Sequence, residues 1–139
     1  MTAIPATLIT AGLLGLLFFL LSLRVVQRRL AGKVPFGDGG DPALLERIRA
    51  HGNFAEHVPF LLLLMAGIEL SAGHHSAWLW GAGAALLLAR IAHAIGLSRP
   101  SPNAFRSVGV VLTWLLLIGL SLWALWIGCM PAPSPHDFV

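Results

Sequence analysis

The stretch Glu46-Arg47-Ile48-Arg49-Ala50-His51-Gly52-Asn53-Phe54-Ala55-Glu56-His57-Val58-Pro59 sets charged and amide side chains at the mouth of a hydrophobic segment. The uncharged run that follows, Val58 to Ile68, is eleven residues long. A bilayer core about 30 Å thick takes about 20 apolar residues in a helix. A helix spanning here therefore draws part of its charged half below the membrane surface. Each charge at such depth costs on the order of 2.5–3.5 kcal/mol, so a chain that carries several turns them toward protein or a polar cavity. The stretch reads as a site, or as the wall of one.

Helical geometry divides its polar groups. Arg49, Asn53 and Glu56, at i, i+4 and i+7, fall within about 60° of arc on one face. His57 lies at the edge of that face, while Arg47 and His51 point nearly opposite. The first face offers a guanidinium fork for a carboxylate, an amide that donates and accepts, and a carboxylate for an ammonium. That set complements a small zwitterion. An internal Arg49–Glu56 ion pair that ties helices together is the alternative, and the spacing admits both.

Around this stretch the chain is too apolar for a soluble domain of its length. It has 139 residues, 57% hydrophobic and 11% charged, with a mean hydropathy of +0.82, which indicates one integral membrane domain over residues 1–139. A pI near 10.5 invites a nucleic-acid reading, but the net charge is only +3 and the basic residues gather at helix ends instead of along a polar stripe. They mark topology, and no nucleic-acid partner is expected. The single cysteine, Cys129, excludes an intramolecular disulfide and Cys-pair redox or zinc chemistry.

Four spans are expected, over about 4–30, 42–70, 77–98 and 106–130. Ile4 to Leu23 carries no charge, and Arg24, Arg28, Arg29 and Lys33 follow it with no basic residue before it. A cleaved signal peptide has the reverse order, so this reads as an uncleaved first span. In Gly37-Asp38-Gly39-Gly40-Asp41-Pro42 the ligand spacing of a calcium loop and the lysine of a phosphate loop are missing. Asp41 and Pro42 read instead as N-cap and first residue of the second helix. Pro59 withholds an N–H from the Ala55 carbonyl, and a kink is expected beside Glu56. The turn containing Gly73-His74-His75 lacks Lys and Arg, and adjacent histidines diverge on a helix, which disfavours a metal site there.

The third span is interrupted by Arg90 and His93, neighbours at i, i+3. All nine Lys and Arg residues fall toward the first and third connections, while Trp78, Trp80, Trp123 and Trp126 gather at the other side. Both signals place the two termini outside and the two basic connections inside.

The second-helix stretch, with Gly37-Asp38-Gly39-Gly40-Asp41-Pro42 before it and Ala89-Arg90-Ile91-Ala92-His93-Ala94-Ile95-Gly96 in the third helix, resembles the membrane-associated proteins in eicosanoid and glutathione metabolism, the MAPEG superfamily, in its bacterial branch. The resemblance covers nearly the whole chain. It implies an all-α four-helix bundle that assembles as a homotrimer in a bacterial inner membrane, with glutathione as co-substrate in clefts between subunits, near the cytoplasmic side. Carried over by position, it gives Arg49 a glutathione carboxylate and gives Asn53 and Glu56 the amino end, with His57 where a tyrosine commonly stands. His51 would serve the neighbouring subunit's site, joined by Arg28 or Arg29. Arg90 would be a support or ligand, and Arg106 would match the arginine that stabilises the thiolate. The chain has no tyrosine; His93 and Leu97 stand where some members carry tyrosines around the tripeptide, so binding is better supported than transfer.

Three functions compete. The leading one is a membrane glutathione transferase or peroxidase acting on lipophilic electrophiles, without a metal. A non-catalytic glutathione- or lipid-binding protein of the same fold is the second. A proton-coupled exporter, the third, wants a carboxylate deep in a span, and Glu56 and Glu69 lie off-centre.

Overall fold

The computed structural model describes residues 2–72, 77–97, 99 and 103–130. Its regular structure is four α-helices: α1 Pro5–Gly32, α2 Pro42–Ala72, α3 Ala77–Leu97 and α4 Ala104–Gly128. Each is long and apolar enough to cross a membrane. The His74–His75 turn lies outside the described residues.

The helix boundaries follow local chemistry. Helix α1 begins with Pro5, whose missing N–H falls where a helix has no intrahelical partner for it, and ends at Lys33 in the left-handed region, φ 52°. The connection then turns on Gly37, Gly39 and Gly40, with φ of 64°, 59° and 73°, values that residues with a Cβ seldom adopt. Asp38 Oδ1 accepts the Gly40 N–H, and the Asp38 carbonyl accepts the Asp41 N–H at 3.0 Å. Asp41 caps α2 as expected, its Oδ1 accepting the Ala43 N–H at 3.0 Å. Helix α2 runs unbroken through Pro59. Helix α4 starts at Ala104, two residues earlier than expected, because Asn103 Oδ1 accepts the Arg106 N–H at 3.0 Å.

Helices α1 and α2 are antiparallel, with a ladder of pairs down their seam: Ala6 and Thr7 to Glu69, Phe18 to Phe54, Arg24 to Arg47, and Arg28 to Asp41. Helices α3 and α4 pair through Gly109, whose bare Cα lies under Ala89 and His93. Helices α2 and α3 also meet, whereas α1 and α4 do not and occupy opposite corners of the bundle. Leu14, Leu21, Phe54, Leu61, Met65, Ile68, Leu79 and Leu86 fill the core. Large apolar side chains such as Leu16, Leu63, Leu88 and Leu125 point outward, as a helix surrounded by acyl chains or by a second membrane subunit requires. The antiparallel order gathers every Lys and Arg at one end of the bundle and Trp78, Trp80, Trp123 and Trp126 at the other.

Candidate functional site

The polar groups of α2 separate by direction. On the side facing α1, Arg47 Nη1 donates to the Arg24 carbonyl at 2.7 Å. The His51 ring stacks on Phe18, centroids 4.6 Å apart and planes 20° apart. Phe18 also stacks on Phe54 at 5.3 Å, so one α1 aromatic meets rings from two successive turns of α2. His51, expected to serve a neighbouring subunit, is thus half-buried against its own α1.

On the other side, Arg49 and Glu56 are exposed, and no ion pair joins them among the described residues. Between them Asn53 is half-buried and turns inward. His57 Nδ1 lies 2.9 Å from the Asn53 carbonyl. A carbonyl oxygen only accepts, so Nδ1 carries the proton and Nε2 is left to face away from the helix backbone.

Arg90 ties three helices together. It is 2% exposed; Nη1 donates to Asn53 Oδ1 of α2 at 2.8 Å, and Nη2 donates to Thr113 Oγ1 of α4 at 2.9 Å and to the Gly109 carbonyl at 3.5 Å. All its acceptors are neutral, and Nε makes no hydrogen bond. A guanidinium out of water with no carboxylate beside it is costly, and the three-helix cradle offsets part of that cost through hydrogen bonds to a charged donor. One turn on, His93 is buried at 5% exposure beside the Arg106 backbone, with neither ring nitrogen meeting hydrogen-bond geometry among the described residues. Arg90 and His93 are sealed inside the subunit, behind the face that Arg49 and Glu56 present.

The remaining basic residues divide between structure and surface. Arg28 grips Asp41, Nε to Oδ2 at 2.6 Å and Nη2 to Oδ1 at 3.2 Å, which locks the end of α1 to the start of α2. That hydrogen bond holds the Asp41 carboxyl below its ordinary value of 3.8. Arg29 Nη1 donates to the Val34 carbonyl at 3.3 Å. Arg106 lies in the first turn of α4 with its side chain exposed. Asn103 fixes that turn to the end of α3 by donating from Nδ2 to the Gly96 carbonyl at 2.7 Å. No group of three metal-ligating side chains occurs among the described residues.

Two polar residues of consequence lie outside the sequence-derived set. Thr113, 1% exposed, is the one hydroxyl of α4 between Ser107 and Ser121, and that isolation in an apolar span was its signal. Glu69, 1% exposed, caps α1 from a distance and is engaged by two backbone donors, Ala6 and Thr7. At the Trp-bearing end a separate apolar groove of about 420 Å³ runs between α3 and α4, lined by Trp78, Ala82, Leu116, Gly119 and Trp123.

The basic end of the bundle thus presents Arg49, Glu56 and Arg106 outward, backed by a buried Asn53–Arg90–Thr113 strut. Comparison with known proteins places this arrangement. The chain is similar to the inner membrane protein YecN of Escherichia coli K12, 34% identical over 116 residues that cover 84% of this chain and 87% of YecN. The protein of the same name from Escherichia coli O6:H1 matches to the same extent. No solved structure is significantly similar. The model of the MAPEG family matches residues 7–126, and with four helices able to span a membrane and a relative aligned over most of both lengths, this chain belongs to the MAPEG family.

Proposed function

We propose that the protein is a glutathione-dependent enzyme of the bacterial inner membrane, a transferase or peroxidase acting on lipophilic electrophiles at the interfaces of a homotrimer. The observation that carries the proposal is the outward pair Arg49 and Glu56. They stand seven residues apart, about 10 Å along the helix, on the same side and with no ion pair among the described residues. Opposite charges left facing lipid are expensive, so a neighbouring subunit covers them and a zwitterionic ligand joins them. Arg49 takes a carboxylate by its guanidinium fork, Glu56 takes the ammonium, and Asn53 and His57 reach the ligand from between and beside them. The neighbouring subunit contributes from its α1–α2 seam, where His51, Arg28 and Arg29 lie. Arg90 and His93 serve from behind as support. Arg106 faces the thiol. With the basic end on the cytoplasmic side, both termini are external and the cleft opens toward the compartment that holds the thiol.

The chemistry asked of the site is modest. A guanidinium beside the thiol favours its ionised form, and the proton leaves to water at the open basic end. The thiolate sulfur then forms a bond to an electrophilic carbon of a substrate arriving through the bilayer, and the leaving group departs with the electron pair. A second reading, a binding protein without turnover, draws on the absence of tyrosine in the chain.

Calorimetry with glutathione on the protein in mild detergent, together with native mass spectrometry, tests the proposal. Three subunits with saturable glutathione binding are expected, and Arg49→Ala is expected to lose the binding. A monodisperse monomer, or a trimer indifferent to glutathione, overturns it. Turnover of a generic aryl halide with glutathione separates the enzyme from the binding protein.

A further inference from the structure

The buried strut has a direction, set by the all-donor guanidinium at its centre and anchored at the end farthest from the ligand face. Thr113 Oγ1 lies 2.7 Å from the Gly109 carbonyl, one turn back along α4. A carbonyl only accepts, so the hydroxyl proton points there and the oxygen lone pairs turn to Arg90. Arg90 holds five donors and no acceptor, so whatever atom of Asn53 faces Nη1 must be the carbonyl oxygen. The 2.8 Å contact is accordingly to Oδ1. The amide group is planar, so fixing Oδ1 inward turns Nδ2 outward, where it makes no hydrogen bond among the described residues and is not enclosed. Along α2, Asn53 itself lies between Arg49 and Glu56.

We propose that Thr113 is a positioning residue that, through Arg90, holds Asn53 with its amide N–H groups toward the ligand, so that Asn53 serves an oxygen of the ligand as a donor. The inference rests on the ligand face described under Proposed function. A free asparagine presents oxygen or nitrogen equally by a half-turn of χ2. Here that turn would set N–H groups against the guanidinium and lose the 2.8 Å bond. Restricting Asn53 to donation distinguishes a carboxylate or carbonyl oxygen from an ammonium at this position and leaves Glu56 as the one acceptor of the trio for the positive end. The selecting element is thus the Arg90 guanidinium, and Thr113 on α4 anchors it.

The chain contains only two asparagines, Asn53 and Asn103, so labelling with ¹⁵N-asparagine gives two side-chain amide pairs. Asn103 Nδ2, held on the Gly96 carbonyl, is an internal control. In the native protein, glutathione is expected to shift the Asn53 pair and leave the Asn103 pair in place. Thr113→Val keeps the shape and removes the acceptor; it is expected to move or broaden the Asn53 pair alone and to weaken glutathione binding about tenfold, the scale of one lost hydrogen bond to a charged group. Thr113→Ser restores both. An Asn53 pair unchanged in Thr113→Val, or native affinity in that variant, overturns the proposal, and so does an Asn53 pair that stays still while glutathione binds. If the native protein binds no glutathione, the function proposed above fails, and the Asn53 signal of Thr113→Val against Thr113→Ser still decides the relay. Should Thr113→Val not fold, Thr113→Ala supplies the same comparison.

Discussion

The Glu69 carboxylate near the end of α2 accepts the Ala6 N–H in the first turn of α1 at 2.8 Å, and its second oxygen accepts the Thr7 N–H at 2.8 Å. Helix α1 has no cap of its own: Ile4 stands at the N-cap without a side-chain bond, and Pro5 follows. The next two backbone donors would be orphaned in an apolar setting. A carboxylate there satisfies both and lies at the positive end of the helix dipole.

Glu69→Ala should therefore destabilise the subunit by about 2–4 kcal/mol, the cost of two buried unsatisfied donors. Glu69→Gln, which keeps one acceptor oxygen, should lose less. Unfolding in detergent followed by circular dichroism reads both, and a native transition for Glu69→Ala would remove the cap from the account.

At the other end of the same seam, the Arg28–Asp41 pair gives a pH dependence with a definite sign. The hydrogen bond from Arg28, foremost among the causes, lowers the Asp41 carboxyl from its ordinary 3.8. A carboxyl depressed in the folded state stabilises fully above the unfolded value, and the contribution fades as pH falls below 3.8 through the folded value. Both side chains are part-exposed, so the effect is small. Asp41→Asn should flatten the acid limb of the stability profile and leave neutral pH nearly unchanged apart from a weaker cap. Denaturation series across the acid range would expose an unchanged limb.

The α3–α4 seam depends on Gly109. A Cβ built there lies 2.7 Å from the Ala89 carbonyl and 2.8 Å from the His93 N and Cβ, whereas one at Gly119 meets nothing within 4 Å. Gly109→Ala should cost about 1–3 kcal/mol through overpacking and pull Thr113 away from Arg90. Gly119→Ala, on the same helix, should be neutral or stabilising by about 0.5–1 kcal/mol. Equal melting curves for the two would show that the helices are not tightly apposed at Gly109.

Helices α1 and α4 were legible because uncharged runs of about 20 residues or more have few alternatives, α2 and α3 because shorter apolar runs continue into charged helical turns, and the Asp41 cap was legible because Asp-Pro before an apolar run has a mechanism. The face holding Arg49, Asn53 and Glu56 followed from spacing, but spacing ignores which neighbour each residue meets. Asn53 turns into the bundle because Arg90 arrives from α3, and no period along α2 announces that. Thr113 and Glu69 escaped for the same reason: their partners lie 23 and 62 or 63 residues away. The family resemblance gave His51 to a neighbouring subunit's site; within its own subunit the ring stacks on Phe18, 33 positions earlier in the chain, a contact that spacing along α2 does not announce.

Arg49 separates ligand site from scaffold. No carboxylate pairs with it among the described residues, so Arg49→Ala should leave the proposed oligomer assembled and abolish glutathione binding. If Arg49 instead paired with a carboxylate across a subunit interface, removing it would strand a buried charge and cost about 3–5 kcal/mol. Native mass spectrometry beside calorimetry distinguishes the two, since dissociation into monomers together with lost binding would assign Arg49 to the scaffold.

In the proposed reaction a bound thiolate needs a cation beside it, and few side chains are exposed where one could serve. Without tyrosine no phenol can activate the thiol. Arg90 and His93 are 2% and 5% exposed and lie behind the ligand face, so neither reaches a sulfur without opening the subunit. His57 commits Nδ1 to the Asn53 carbonyl, and an imidazole in its neutral form favours a thiolate weakly. Arg106 is exposed, charged at every working pH, and carried on the first turn of α4, at the positive end of the helix dipole. Arg106→Ala should therefore still bind glutathione while the bound thiol returns toward about 8.5, the unperturbed value, and turnover falls with it. Ultraviolet absorbance of the bound thiolate, titrated against pH for Arg106→Ala and His57→Ala, makes the measurement. A native titration in Arg106→Ala, with the shift appearing in His57→Ala, would transfer the role to the histidine.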